Sequence, residues 1–166
     1  MLTEIDMTTP TAINSDMREV STALQYVLVD LIDLSLQGKH AHWNLEGPRF
    51  GTLHGELDEL VESWQRLADE VAERAVTLGS SPDGRVTTVA RSSHLDPFPA
   101  GPIRDDDVIV GLTRRLADII ERARRAMGEA AVRDSVSEDL LIGVVGTLEK
   151  QHWLLRAQLA SQEFRT

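Results

Sequence analysis

Residues 79–104 read GSSPDGRVTTVARSSHLDPFPAGPIR, and this stretch decides the fold. Gly79 and Pro82 stop the segment before it, because glycine tolerates the left-handed end position of a helix and proline cannot continue the ladder. Gly84, Pro97, Pro99, Gly101 and Pro102 follow within it, and residues 86–91 are expected to form a short helix. A connection of roughly 25 residues is too long for an antiparallel hairpin and suits a crossover down the length of a bundle.

The periodicity on either side is helical. Before the connection, Leu53, Leu57, Leu60, Trp64, Leu67, Val71, Ala75 and Leu78 step by three and four. Further upstream, Val20, Leu24, Val27, Leu31 and Leu34 mark a first helix over about residues 15–42, joined to the second by the short turn Asn44-Leu45-Glu46-Gly47-Pro48. After the connection, Val108, Leu112, Leu116, Ile119, Ala123 and Met127 mark a third helix. Leu141, Val144, Leu148, Leu155 and Leu159 mark a fourth, with Ser135 or Ser137 expected as its cap. Two hairpins joined by one long crossover make an all-α, ferritin-like four-helix bundle over residues 15–163, preceded by a flexible segment over 1–14.

Composition narrows the function classes. At 166 residues the chain fits one domain, and at 42% hydrophobic it builds a core. No apolar run approaches the ~20 residues that span a bilayer, and MLTEIDMTTPTAINSD lacks the basic start and apolar stretch of a secretory signal. Without cysteine there is neither a disulfide nor a thiolate metal site. A cytoplasmic location is expected, with the nucleoid as the alternative. The net charge of −10 repels phosphate backbones and suits hard or borderline cations.

The second helix carries metal-competent side chains beside its apolar stripe. Relative to His54, Asp58 falls at about 40°, Asp69 at about 60° and Glu73 at about 100° around the helix, one band along the edge of the buried face. One helix cannot gather them into one site, since Asp58 and Asp69 lie about 16 Å apart along the axis. The pairs 54/73 and 58/69 nevertheless share one midpoint, between Ser63 and Trp64. An antiparallel copy of this helix packed across that point sets His54 and Asp58 of one chain against Glu73 and Asp69 of the other, giving two equivalent mixed sites in an isologous dimer. Any one of these side chains alone reads as the solvated flank of an amphipathic helix; the argument rests on the set.

Lys39-His40-Ala41-His42-Trp43-Asn44, at the end of the first helix, adds further ligands. Lys39, His42, Trp43, Asn44, Gly47, Phe50, His54 and Asp58 match the pattern K-x-x-H-W-N-x-x-G-x-x-F-x-x-x-H-x-x-x-D, and D-x-x-x-E follows at Asp69 and Glu73. In these motifs, and in Glu149-Lys150-x-x-Trp153-x-x-Arg156-Ala157 on the last helix, the chain resembles the Dps proteins, or mini-ferritins, from about residue 15 to 160. The resemblance implies a dodecameric shell holding ferric mineral. It also implies di-iron ferroxidase centres at two-fold interfaces, with His42, His54 and Asp58 from one subunit and Asp69 and Glu73 from its neighbour, and hydrogen peroxide as preferred oxidant. It suggests Trp43 as a redox aromatic, whose bland reading is a packed interface residue, and Asp139 as an acid of the pore that admits iron, with Asp134 and Glu138 nearby.

Lys39 stands where it could pair with a carboxylate of the centre, while His40, His94 and His152 read as structural. Binding of DNA through a basic tail is not expected, because residues 1–17 contain no lysine or arginine and only Arg165 is basic among the last five. Arg122, Arg124 and Arg125 are expected to pair with Glu121 and Glu129 on the helix surface. The competing readings are a nucleoid-condensing protein and a bundle that has lost its metal chemistry; the complete ligand set disfavours the second.

Overall fold

Each apolar stripe becomes the buried face of a long helix. The computed structural model describes residues 15–160, ordered as α1 (Ser15–Asn44), β1 (Leu45–Glu46), α2 (Phe50–Thr77), α3 (Val86–Ser92), β2 (Ile103–Arg104), α4 (Asp105–Ala131) and α5 (Ser135–Ala160). The segment 1–14, residues 161–163 of the expected bundle, and Arg165 lie outside the described residues. Helix α1 packs on α2 and α4 on α5, and the two hairpins meet through α1 against α4 and α2 against α5. Leu24, Leu31, Leu34, Leu53, Leu57, Trp64, Leu112, Leu116, Leu141 and Leu148 are fully buried in the single core between them. Met127, Leu78 and Leu159 pack at its edge. Burying each large side chain contributes about 1.5–3 kcal/mol relative to exposure.

The turn between α1 and α2 holds a feature that the sequence reading missed. Leu45–Glu46 pairs in parallel with Ile103–Arg104, so the end of the crossover is clipped to the end of the first helix. Gly47 follows with φ +130, a backbone conformation strained for any L side chain. A Cβ there would stand 2.6 Å from the Asp105 carboxylate. Asp105, 2% exposed, accepts the Arg49 backbone N–H at 2.8 Å and Arg49 Nε at 3.2 Å. Burial pushes its carboxyl up, but the Arg49 hydrogen bonds and charge, with the Asp106 N–H, outweigh that and hold it below the ordinary value.

The crossover is fastened by side chains along α1. His40 Nε2 lies 2.9 Å from the Pro99 carbonyl, and Phe98 N–H donates to Gln37 Oε1 at 3.2 Å. Gln37 Oε1 also accepts from the buried Arg115, whose guanidinium lies 3.8 Å from the Phe98 ring centroid.

Two local expectations are corrected. The cap of α5 is Asp134, not Ser135 or Ser137: its Oδ2 accepts the Ser137 N–H at 3.2 Å and the Ser137 hydroxyl, and is bridged by Arg74 at 2.6 Å. An aspartate ionised in the cap and paired with an arginine satisfies the free N–H of the first turn better than a serine does. Of Arg122, Arg124 and Arg125, only Arg125 pairs with Glu121; Arg124 reaches Glu149 on α5, and Arg122 turns inward to the buried Asp30 of α1.

Candidate metal centre

The turn closed by the β1–β2 clip delivers His42, in the last turn of α1, against the first turns of α2. His42 is 7% exposed and its Nδ1 lies 3.0 Å from the His54 backbone carbonyl. A carbonyl only accepts, so Nδ1 carries the proton and the Nε2 lone pair is left for a ligand. The His42 and His54 rings stack with centroids 3.7 Å apart, and Phe50 backs His54 at 5.0 Å.

Asp58 stands one turn further along α2, with Oδ1 3.5 Å from His42 Nδ1. One ligand atom from each of His42, His54 and Asp58 lies within 4.8 Å of the others. Lys39, one turn before His42, donates Nζ to Asp58 Oδ1 at 2.6 Å. That hydrogen bond is the largest influence on Asp58 and holds its carboxyl below the ordinary value. The His54 Nδ1 is buried with no hydrogen-bond partner among the described residues. A buried ring nitrogen without a partner, beside an ionised carboxylate and a second imidazole, is a donor set that fits iron(II).

The remaining sequence-designated residues lie apart from this cluster. Asp69 and Glu73 are exposed further along α2, outside the three-residue group. Trp43 is 73% exposed among the described residues. Asp139 is exposed and Glu138 half-buried in the first turns of α5. Asp134 is committed to its cap and to Arg74 rather than free beside them. His152 is partly buried, and burial lowers its tendency to protonate. The role of Asp105 in setting the turn was not read from the sequence; the one signal of it is the glycine of the motif, which the carboxylate requires.

The chain is similar to known proteins over most of its length. Residues 21–163 match the model of the ferritin-like domain. The DNA protection during starvation protein of Mycolicibacterium smegmatis is 37% identical over 143 residues, covering 86% of this chain and 78% of that protein. DNA protection during starvation protein 2 of Deinococcus radiodurans is 36% identical over 152 residues; the match covers 92% of this chain but spans only 63% of that relative's length. The crystal structure of Mycobacterium smegmatis Dps in its tetragonal form superposes with a TM-score of 0.84 at 35% identity, covering 95% of this chain and 94% of that one.

Proposed function

Because the chain belongs to the ferritin-like family and, within it, to the Dps proteins, we propose that it oxidises iron(II) at an intersubunit centre and stores the ferric product inside a dodecameric shell. The observation that carries this reading is the convergence of His42, His54 and Asp58 with an unpartnered imidazole nitrogen among them. Asp69 and Glu73 of a neighbouring subunit complete the centre, by the shared midpoint of the two pairs along α2. Iron(II) is the substrate: imidazole and carboxylate suit it, and carboxylate stabilises the harder iron(III) product.

The chain's own groups prepare that site. The His54 carbonyl fixes the tautomer of His42, the stacked rings restrict both imidazoles, and Lys39 keeps Asp58 ionised. Arriving iron(II) must share Asp58 with the Lys39 ammonium or displace it. Hydrogen peroxide is the preferred oxidant: two iron(II) ions each lose one electron, and peroxide takes both electrons and two protons to leave as two waters. No hydroxyl radical is released, and DNA is thereby protected by chemistry. Asp139 serves the pore that admits iron, and Trp43 intercepts stray oxidising equivalents. Iron(II) oxidation by the purified protein, started with peroxide or with dioxygen and followed by sizing of the loaded particle, tests the proposal. Oxidation no faster than in protein-free buffer would contradict it.

A further inference from the structure

We propose that Arg49 is a positioning residue of the metal centre: by clamping the start of α2 onto the start of α4, it holds His54 at the spacing from His42 that a bound metal needs. The proposal rests on the ferroxidase reading of that centre but concerns a residue outside the ligand set.

Arg49 breaks the rules of its own helix. It is the N-cap of α2, where Ser, Thr, Asp or Asn would accept a first-turn N–H, and its side chain makes no capping hydrogen bond. Its charge also opposes the positive end of the helix dipole. What it reaches on α4 explains it. Nε donates to the buried Asp105 Oδ2 at 3.2 Å and Nη2 pairs with Asp106, while the backbone N–H donates to the same Asp105 oxygen at 2.8 Å. Asp105 and Asp106 are adjacent acids in the first turn of α4, so one guanidinium bridges two like charges and its planar fork fixes both.

This clamp lies on the path that joins the two histidines. On the α2 side, the Arg49 carbonyl accepts the Leu53 N–H at 2.9 Å, and Leu53 directly precedes His54. On the α1 side, His42 lies three residues before Leu45, which pairs with Ile103, two residues before Asp105. Gly47, between the two segments, leaves room for the Asp105 carboxylate. Within the centre, the rings are joined by their stack and by the His42 hydrogen bond to the His54 carbonyl, and neither fixes the unpartnered His54 Nδ1. Ligands must be held within about 0.5 Å of the productive geometry, so the clamp supplies what the centre lacks.

Cobalt(II), whose visible absorption reports its coordination, is titrated into the metal-free protein under argon to test this. The parent is expected to give a saturable band, and the His42→Gly with His54→Gly double variant to lose it. A double variant that keeps the band would refute the centre, and the proposal with it. Arg49→Met keeps the aliphatic stem and the backbone hydrogen bond but not the clamp. It is expected to weaken cobalt(II) binding about tenfold or more and to change the band shape. Arg49→Lys, which restores the charge without the fork, is expected to fall between Arg49→Met and the parent. Arg122→Met is the matched control, since it also takes an arginine from a buried aspartate. That aspartate, Asp30, lies about 18 Å along α1 from His42, and the control is expected to leave affinity and band unchanged. Parent-like binding by Arg49→Met, in a protein whose double histidine variant binds none, would overturn the positioning role and leave the centre standing. Equal weakening by Arg122→Met would also overturn it, by showing a general loss of stability.

Discussion

His42 and His54 hold each other: one donates its ring N–H to the other's backbone carbonyl, and their rings lie face to face. Replacing both with glycine removes two ligands while the apolar side chains of the core are untouched. The double variant is expected to oxidise iron(II) at least tenfold more slowly than the parent, with the same particle size by light scattering. A parent-like rate would place the chemistry elsewhere. Asp105 acts at the same scale but on stability. Its folded-state pKa is depressed, so its contribution is complete above the unfolded carboxylate value of about 4 and is lost as the pH falls through the lower folded value. Asp105→Asn is therefore expected to cost about 1–3 kcal/mol near neutral pH. Denaturant midpoints measured at pH 7 and again near pH 3 should show the gap between variant and parent narrowing in acid.

At the scale of elements, the helices were legible because their apolar residues repeat with the helical period over 26 to 30 residues. The crossover was legible from its length and its prolines. The β1–β2 clip was not, since two residues per strand carry no alternation and the partner lies 58 positions away. The cap of α5 was misread because serine is an ordinary cap and the deciding partner, Arg74, comes from another helix. Arg122 was misread because i,i+4 neighbours are visible in sequence and a buried acid on α1 is not. The cap makes a direct prediction: Asp134→Ala should lower stability by about 1–2 kcal/mol, while Ser135→Ala at the exposed neighbouring position should stay within about 0.5 kcal/mol. Thermal denaturation of the two variants side by side distinguishes the assignments; equal losses would restore the serine.

For the whole molecule, three of the five proposed ligands meet within one chain, and two remain exposed on the same helix. The proposal assigns the other two to a neighbouring chain, across a two-fold near Ser63 and Trp64 that the spacing of 54 with 73 and 58 with 69 suggests and that no contact within one chain could reveal. The net charge of −10 per chain would multiply in the proposed shell. No retarded DNA band is therefore expected in a gel-shift at ~0.15 M salt, where exposed charges are screened beyond about 8 Å, although strand cleavage by iron(II) and peroxide should still fall. Retardation at that salt would favour a nucleoid-binding role.

The intersubunit centre is the central claim, and co-assembly tests it most directly. One chain carries His42→Gly with His54→Gly, the other Asp69→Ala with Glu73→Ala, and each is assembled alone and then together by co-expression. In a mixed two-fold pair, one centre loses both halves and the other regains intact His42, His54, Asp58, Asp69 and Glu73. The account predicts two slow homo-oligomers and a mixed particle in which roughly a quarter of the centres oxidise iron(II) at the parent rate, for random pairing across the two-fold. A mixed particle as slow as its parents, although shown by mass spectrometry to contain both chains, would contradict it.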